Sequence, residues 1–331
     1  QSELEFGLET QVLDNRAKVD FSVYKRTAKD QIIAQSLDFS TGYQQTLINA
    51  GEISNKGLEA GLTITPIRSN SVVWNVRGTF TKNISKVVSL PEGSKSINIS
   101  GYSTLGNYAE EGKPFNIIKG QRVARNADGQ PIVDPAGAYV ITPTVETIGD
   151  PNPKWLGSAM SDVTWKGVTL AFQVDYVHGG DIYSSTAAVM IGRGVSKDLE
   201  SFDPGLPLIL PGVKQDGTVN DLPLTTAGVF YGQSIVGSNA NDRAIYDGSR
   251  VRLREVSLSY SLPQNIVSKL SIRSANISLV GNNMWFKSLN APKYVHADFD
   301  RSSFGNANGA GFEFIGGPSA RRYGVNLRLT F

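Results

Sequence analysis

The sequence contains no cysteine, so disulfide bonds, thiol chemistry and cysteine-ligated zinc sites are excluded. No run of about 18 apolar residues is present either, which excludes a transmembrane helix. Basic and acidic residues nearly cancel to a net charge of +2, so the overall charge gives no reason to expect nucleic acid or another anionic partner. Only two histidines occur, His178 and His296, and neither lies in a pattern typical of catalysis or metal binding.

Signatures of enzymes are missing as well. The sequence has no Gly-x-Ser-x-Gly motif and no phosphate-binding loop, and no two of its scattered acidic residues can be placed face to face as a glycosidase pair. The segment 126–134 carries Asn126, Asp128 and Asp134 but lacks the terminal Glu of a calcium loop, so a plain turn is predicted there. We therefore predict a protein that is not an enzyme and that has no cofactor and no metal site.

Alternation of apolar and polar residues dominates what is present. In the segment 168–176 every second side chain is large and apolar, which is the period of a β-strand with two different faces. Nine segments of the chain follow this period. In the seventh, Arg254 and Glu255 stand where the period leaves room for one residue, which predicts a β-bulge. Only Gln264–Leu270 is predicted to form a short helical turn.

The nine segments are joined by connections that alternate between short and long. The short ones lie at about 14–15, 67–70, 166–167 and 262–273, and the long ones at about 27–55, 84–154, 179–249 and 285–320. In an up-and-down antiparallel sheet, this puts every short turn at one end and every long loop at the other. An outer-membrane β-barrel has this arrangement, with short periplasmic turns and long extracellular loops.

A soluble β-sandwich remains the alternative, because its strands alternate for the same reason. Two loops of about 71 residues favour the barrel, since loops beyond about 15 residues are uncommon in compact domains. Strands of ten or eleven residues also suit a tilted membrane span. The fold class we predict is therefore all-β, an antiparallel transmembrane β-barrel.

Nine strands is an odd number, whereas single-chain barrels of bacteria have an even number. The alternation also begins at the first residues of the chain. We therefore expect residues 1–331 to be the C-terminal portion of a single, larger barrel domain whose first strands lie upstream.

Five stretches of the sequence resemble the landmarks of a known family, in that family's order. They are NAGEISNKGLEAGLTITP (49–66), IGDPNPKW (148–155), VRLREVSLSYSLP (251–263), NNMWFKSLNAPKYVHADFD (282–300) and PSARRYGVNLRLTF (318–331). Together they resemble the C-terminal part of the SusC/RagA-type TonB-dependent transporters of the Bacteroidetes outer membrane. The resemblance implies a 22-stranded barrel, of which about nine strands are present here, without the plug domain and the TonB box.

The resemblance also implies a function and partners. The family imports oligomeric nutrients, either glycan oligosaccharides or peptides, across the Gram-negative outer membrane. A SusD-like surface lipoprotein covers the extracellular mouth, and TonB with ExbB and ExbD acts through the plug. The long loops 84–154 and 179–249 are the natural contacts for that lid and for the ligand. A passive diffusion channel and a soluble, lectin-like β-sandwich adhesin are the alternative functions, and no nucleic acid is expected as a partner.

Aromatic residues near the strand ends are predicted to form the two interfacial girdles of a barrel in lipid. These residues are Trp74, Trp155, Trp165, Tyr176, Tyr260 and Tyr323. Trp285 and Phe286 are placed at the start of the last long loop, where they would either stack on a sugar ring or belong to the upper girdle.

The last strand resembles the signal that the bacterial barrel-assembly machinery recognises. The matching residues are Arg322, Gly324, Leu327, Leu329 and the terminal Phe331. A strand that only closes the barrel would carry the same pattern, and the two roles are compatible.

Overall fold

The computed structural model describes residues 1–37, 39–49, 51–200, 203, 206–224, 240–270, 272–303 and 309–331. Within these ranges, nine long antiparallel strands form one sheet in which each strand pairs with its neighbours in chain order. The strands are β1 (Ser2–Val12), β2 (Ala17–Lys29), β3 (Glu52–Arg68), β4 (Val72–Ser89), β5 (Trp155–Trp165), β6 (Val168–His178), β7 (Arg250–Ser261), β8 (Ser274–Ser288) and β9 (Arg322–Thr330). The nine strands and their up-and-down order confirm the prediction from the alternation.

The strand register keeps most of the large apolar side chains of the nine strands on one face. For example, Leu8 of β1 lies opposite Phe21 of β2, which in turn lies opposite Ala60 of β3. Ala60 lies opposite Phe80 of β4. Side chains on this face remain exposed to the surroundings, and Phe172 at the middle of β6 is 43% exposed. A β-sandwich would cover such a face with a second sheet, so the exposure of this face favours a wall that contacts lipid.

Short turns close one end of the sheet. Lys166 and Gly167 join β5 to β6 with positive φ at both positions, 47° and 85°, which is the conformation of a two-residue type I′ hairpin. At the turn between β1 and β2, Leu13, Asp14 and Asn15 all have positive φ. The predicted helical turn also lies at this end and forms helix α2 (Gln264–Val267), followed by a 3₁₀ helix at Ser268–Leu270.

The long connections at the other end carry secondary structure of their own, which the sequence analysis did not predict. The connection after β4 forms a four-stranded sheet from Ser96–Tyr102, Leu105–Glu110, Ile117–Gly120 and Glu146–Gly149, and the one after β2 forms a hairpin of Ile32–Ser36 with Gln45–Asn49. The connection after β6 holds helix α1 (Ser185–Gly192) and the strands Asp181–Ser184, Leu208–Ile209, Pro223–Leu224 and Ile245–Asp247. Phe312–Glu313 in the last loop pairs with Asp181–Ser184, and 3₁₀ helices lie at Phe39–Thr41, Lys197–Leu199 and Asn241–Ala244.

The hydrophobic core clusters of the described residues lie among the long connections, which together form a layer of loops at this end of the sheet. One cluster includes Val123, Val133 and Leu224, which joins the loop after β4 to the loop after β6. Another includes Ile118 and Phe312 and brings in the last loop. The loops are therefore packed against one another, and the apolar interior of this chain is separate from the apolar face of the main sheet.

Two details of strand β7 and its neighbour refine the predicted pattern. The register passes from Gln173 opposite Glu255 to Val174 opposite Leu253, which leaves Arg254 as the extra residue and confirms the predicted bulge. Strand β8 continues to Ser288, so the prediction that Trp285 starts a loop is wrong. The backbone pairing with β7 holds this segment in the sheet, with Trp285 opposite Leu253.

Candidate functional site

The second face of the main sheet is polar along most of its width. Its charged members include Glu5, Glu9, Lys18, Asp20, Arg77, Asp175, Arg252 and Arg328. Cross-strand ion pairs hold some of these side chains in place. In one of them, the guanidinium of Arg26 donates two hydrogen bonds to the carboxylate of Glu3, at 3.0 and 3.2 Å. This face presents carboxylates, hydroxyls and amides in rows, which suits contact with water and polar solutes.

Hydrogen bonds extend across the strands near the short-turn end of the polar face. Thr65 donates to Asn75 at 2.9 Å, and Asn75 donates to Asp162 at 2.8 Å. Glu9 and Asp20 lie directly opposite each other on β1 and β2, so the expectation that no two acidic residues face one another is wrong. Both carboxylates contact the ammonium of Lys18, at 2.7 and 3.4 Å. No group of three or more potential metal ligands occurs among the described residues. The arrangement therefore presents hydroxyl, amide and carboxylate groups that suit binding and hydration.

The aromatic residues of the outward, apolar face lie at two levels. At the long-loop end, Trp155 packs on Tyr176 at 5.0 Å between ring centroids and on Phe80 at 5.6 Å. His178, which ends β6, lies 5.4 Å from the same indole and joins this cluster. At the short-turn end, the exposed indole of Trp165 has the Lys166 ammonium 5.4 Å from its centroid.

The remaining predicted girdle residues fall into the same two levels. Trp74 and Tyr260 lie near the short turns, and Tyr323 lies near the long loops, opposite Gly281. The sequence analysis missed Phe80 and His178 as members of the upper cluster. Phe80 belongs to the alternating pattern of β4, but its contact with Trp155 depends on the register between two strands that are far apart in sequence.

Trp285 and Phe286 point to opposite faces because they are neighbours in β8. Trp285 is 47% exposed on the apolar face. Phe286 lies on the polar face, with its ring centroid 5.2 Å from the guanidinium carbon of Arg252. The two side chains therefore cannot stack on one ligand, and only Phe286 faces the polar side.

A network of arginines and aspartates joins β7 to the loop between β8 and β9. With the bulge at Arg254, this side chain and Arg252 both reach Asp300. Arg252 donates a short hydrogen bond to Asp298, and Arg254 donates to Asp175 at 2.6 Å and to Asp300 at 3.2 Å. Asp300 also accepts from a third arginine, Arg250, at 3.2 Å.

Asp298 is held as a carboxylate at this junction. Burial raises the pKa of Asp298, but the hydrogen bonds from Arg252 and from Ser319 outweigh it, so that its pKa lies below the ordinary value. The sequence analysis missed this network. Its signal in the sequence is a regular spacing, because Asp298 and Asp300 are two residues apart and so are successive members of the set Arg250, Arg252 and Arg254. Residues two apart share one face of a regular strand, but the bulge shifts Arg254 out of that alternation.

Strand β9 divides the five residues of the predicted assembly signal between its two faces. Leu327 and Leu329 lie on the apolar face, opposite Ile277 and Ala275. Arg322 and Gly324 lie on the polar face, and Phe331 follows the strand and is 86% exposed. Their role in assembly stays a prediction, as do the roles of the girdle residues.

None of the helices in the described part of the chain has the length and apolar character that a membrane span requires.

The chain is similar to known proteins along nearly its whole length. The family model described as "TonB dependent receptor-like, beta-barrel" matches residues 2–283. TonB-dependent receptors P3 and P26 of Formosa agariphila are 23% and 22% identical to it, over 99% of this chain and 34% of theirs. A solved structure, described as that of the RagAB peptide transporter, superposes with a TM-score of 0.66 at 20% identity, over 99% of this chain and 35% of that one. The chain thus spans about a third of the length of these relatives, and the solved structure shows a likeness of fold alone.

Proposed function

The chain belongs to the TonB-dependent receptor-like β-barrel family, and from that premise we propose that it forms part of the wall of an outer-membrane importer of oligomeric nutrients. The observation that carries this proposal is the separation of the main sheet into an exposed apolar face, bounded by two aromatic levels, and a polar face. Lipid would cover the first face, and the second would line the path of a hydrated solute.

The polar face is suited to passage as well as to binding. Ion pairs such as Lys18 with Glu9, 2.7 Å apart, hold long charged side chains along the wall. Groups of both signs occur there, so that neither a cationic nor an anionic oligomer meets a field of a single sign along the whole wall. In this proposal the protein moves its ligand without chemical change, and it is not an enzyme.

The packed layer of long loops would form the extracellular mouth. The network of Arg250, Arg252 and Arg254 with Asp298 and Asp300 anchors the last loop to the wall. A loop held in this way presents a fixed surface, which favours binding because less conformational freedom is lost when a ligand arrives. We propose oligosaccharides or peptides as the ligand class, and the description of the RagAB structure as a peptide transporter supports the second.

In our proposal, further parts of the transporter lie outside this sequence. The full barrel has 22 strands, and a plug domain upstream receives the pull of TonB with ExbB and ExbD. A SusD-like surface lipoprotein covers the loops at 90–154 and 179–249. The fact that the chain spans about a third of its relatives supports the upstream parts, and the likeness of fold to the RagAB peptide transporter supports the lipoprotein.

A passive diffusion channel is the second candidate, because a polar lumen serves both kinds of protein. An uptake experiment in the native host distinguishes them. Deletion of the gene is expected to abolish uptake of labelled peptides or of labelled oligosaccharides, and the full-length gene restores it. Deletion of tonB is expected to have the same effect, and uptake that continues without TonB would establish the passive channel.

The compartment is tested separately. The full-length protein is expected in the outer-membrane fraction, to require detergent for extraction and to change its gel mobility on heating. A monodisperse protein in plain buffer would instead support the soluble β-sandwich adhesin.

A further inference from the structure

Four lysines cluster on the outward face of the sheet at its long-loop end. Lys25 of β2 lies opposite Lys56 of β3 in the register. Lys82 and Lys86 of β4 lie opposite Leu58 and Ser54 of β3. All four side chains are exposed. We call Lys25, Lys56, Lys82 and Lys86 the lysine cluster.

The four ammonium groups are not neutralised within the described part of the chain. None of the four takes part in an ion pair there, and the acidic residue of the same face, Glu52, is paired with Lys29 at 3.4 Å. Residues directly opposite in antiparallel strands have Cβ atoms about 5 Å apart, so Lys25 and Lys56 repel each other. A site of this kind is stabilised when an anion lies between the lysines.

The cluster lies immediately beyond the upper aromatic level. Lys82 is two residues from Phe80 on the same face of β4, which is about 7 Å along the strand. Phe80 packs on Trp155 and thus belongs to the cluster of rings that marks this level. Rings of this kind lie at the headgroup region of a membrane, so the lysines are at the depth of lipid phosphates.

Apolar side chains continue from the cluster toward the middle of the sheet. Val23 and Leu58 are the next outward residues below Lys25 and Lys56, and Ile84, opposite Lys56, is exposed between the lysines. One surface therefore offers cations at three successive outward levels, those of Lys82, Ile84 and Lys86, with apolar side chains between and below them. A soluble polyanion would use only the first of these features, whereas a lipid uses both.

We propose that the lysine cluster binds the phosphorylated headgroup of an anionic lipid in the leaflet on the long-loop side of the membrane. The phosphate groups contact the ammonium groups of Lys25, Lys56, Lys82 and Lys86, and the acyl chains lie on Val23 and Leu58. Lysine suits this role because its stem covers apolar surface while its charge reaches the headgroup. This inference rests on the proposed placement of the sheet in the outer membrane.

The test measures lipid binding to the full-length receptor that carries these residues, purified in neutral detergent. Bisphosphorylated lipid A is titrated in, and bound lipid is counted by native mass spectrometry. The variant K25Q/K56Q/K82Q/K86Q is expected to bind it at least about ten-fold more weakly. The matched control K166Q/K287Q, which removes one lysine of the turn between β5 and β6 and one outward lysine of β8, is expected to bind as the unmodified receptor does.

Two further binding measurements identify which group of the lipid the lysine cluster recognises. Dephosphorylated lipid A is expected to bind the unmodified receptor as weakly as the quadruple variant binds the phosphorylated form. Inorganic pyrophosphate is expected not to displace the lipid, and displacement by it would assign the cluster to a free anion instead. Replacement of all four lysines by arginine is expected to retain binding.

Equal binding of lipid A by the unmodified receptor and the quadruple variant would overturn the proposal. Heat-dependent gel mobility shows whether the glutamine variant is folded. Nutrient uptake is expected to persist in that variant, because the cluster lies on the face opposite the lumen. A receptor that binds the lipid but imports nothing would refute the proposed function and leave this inference standing.

Discussion

The guanidinium of Arg252 and the carboxylate of Asp298 form a hydrogen-bonded pair in which the two side chains are only 3% and 1% exposed. The pair joins strand β7 to the loop between β8 and β9, across more than forty residues of chain. Asp298 also accepts a hydrogen bond from the backbone N–H of Ser319 at 3.0 Å, close to the start of β9. One carboxylate therefore links this loop both to β7 and to the segment that leads into β9.

Removal of one partner is expected to loosen the loop strongly. Arg252→Met leaves Asp298 as a buried charge without its cation, and a change of this kind costs about 3–5 kcal/mol. The double variant R252M/D298M removes both charges and is expected to recover a large part of that loss. Hydrogen exchange of residues 289–321 in the full-length receptor measures the effect, and equal exchange in the single variant and the unmodified receptor would contradict it.

The pH dependence of the same loop follows from Asp298. Its pKa is lower in the folded state than in the unfolded chain, since the hydrogen bonds from Arg252 and Ser319 outweigh the effect of burial. The stabilisation is therefore present above the unfolded pKa of about 3.9 and is lost as the pH falls through the folded value. Protection of this loop is expected to decrease below about pH 4, and D298N is expected to remove that part of the decrease.

Asp181 is expected to show the opposite dependence. Burial raises its pKa, and the nearby carboxylates of Asp150 and Asp247 raise it further, although a hydrogen bond from the backbone of Asp150 opposes them. The folded state therefore holds this proton more tightly, and stability decreases as the pH rises from about 3.9 through the folded pKa. Asp181→Asn keeps an oxygen acceptor for the Asp150 N–H, and it is expected to raise the protection of Asp181–Ser184 at pH 7. Lower protection in this variant would contradict the sign.

The alternation in β6 predicted both a strand and its two faces, because period-two patterning depends on adjacent residues alone. The bulge at Arg254 could be predicted for the same reason. The pair of Arg252 with Asp298 could not, since it depends on how a long loop returns to the strand. The lysine cluster could not be predicted from the sequence for a third reason. The net charge of +2 is a sum over the whole chain, and only the strand register brings Lys25 opposite Lys56.

The assignment of the two faces predicts unequal effects for neighbouring residues of β6. Phe172 is outward and lies midway between the aromatic levels, so Phe172→Arg is expected to destabilise the barrel in lipid by about 2–4 kcal/mol. Gln173→Arg places the same charge on the polar face and is expected to be tolerated. Denaturant unfolding of the full-length receptor in lipid vesicles compares the two. Equal tolerance of both variants would mean that lipid does not cover the apolar face.

The end of β9 is expected to control assembly. Deletion of Phe331, or Leu329→Asp on the outward face, is expected to lower the amount of receptor in the outer membrane several-fold, because both remove apolar groups from the predicted assembly signal. Phe331→Tyr keeps the ring and serves as the matched control. Surface protein is quantified by antibody labelling of intact cells, together with uptake per surface molecule. Uptake per molecule is expected to be unchanged, since neither side chain lies on the polar face, and normal surface amounts of both variants would refute the assignment.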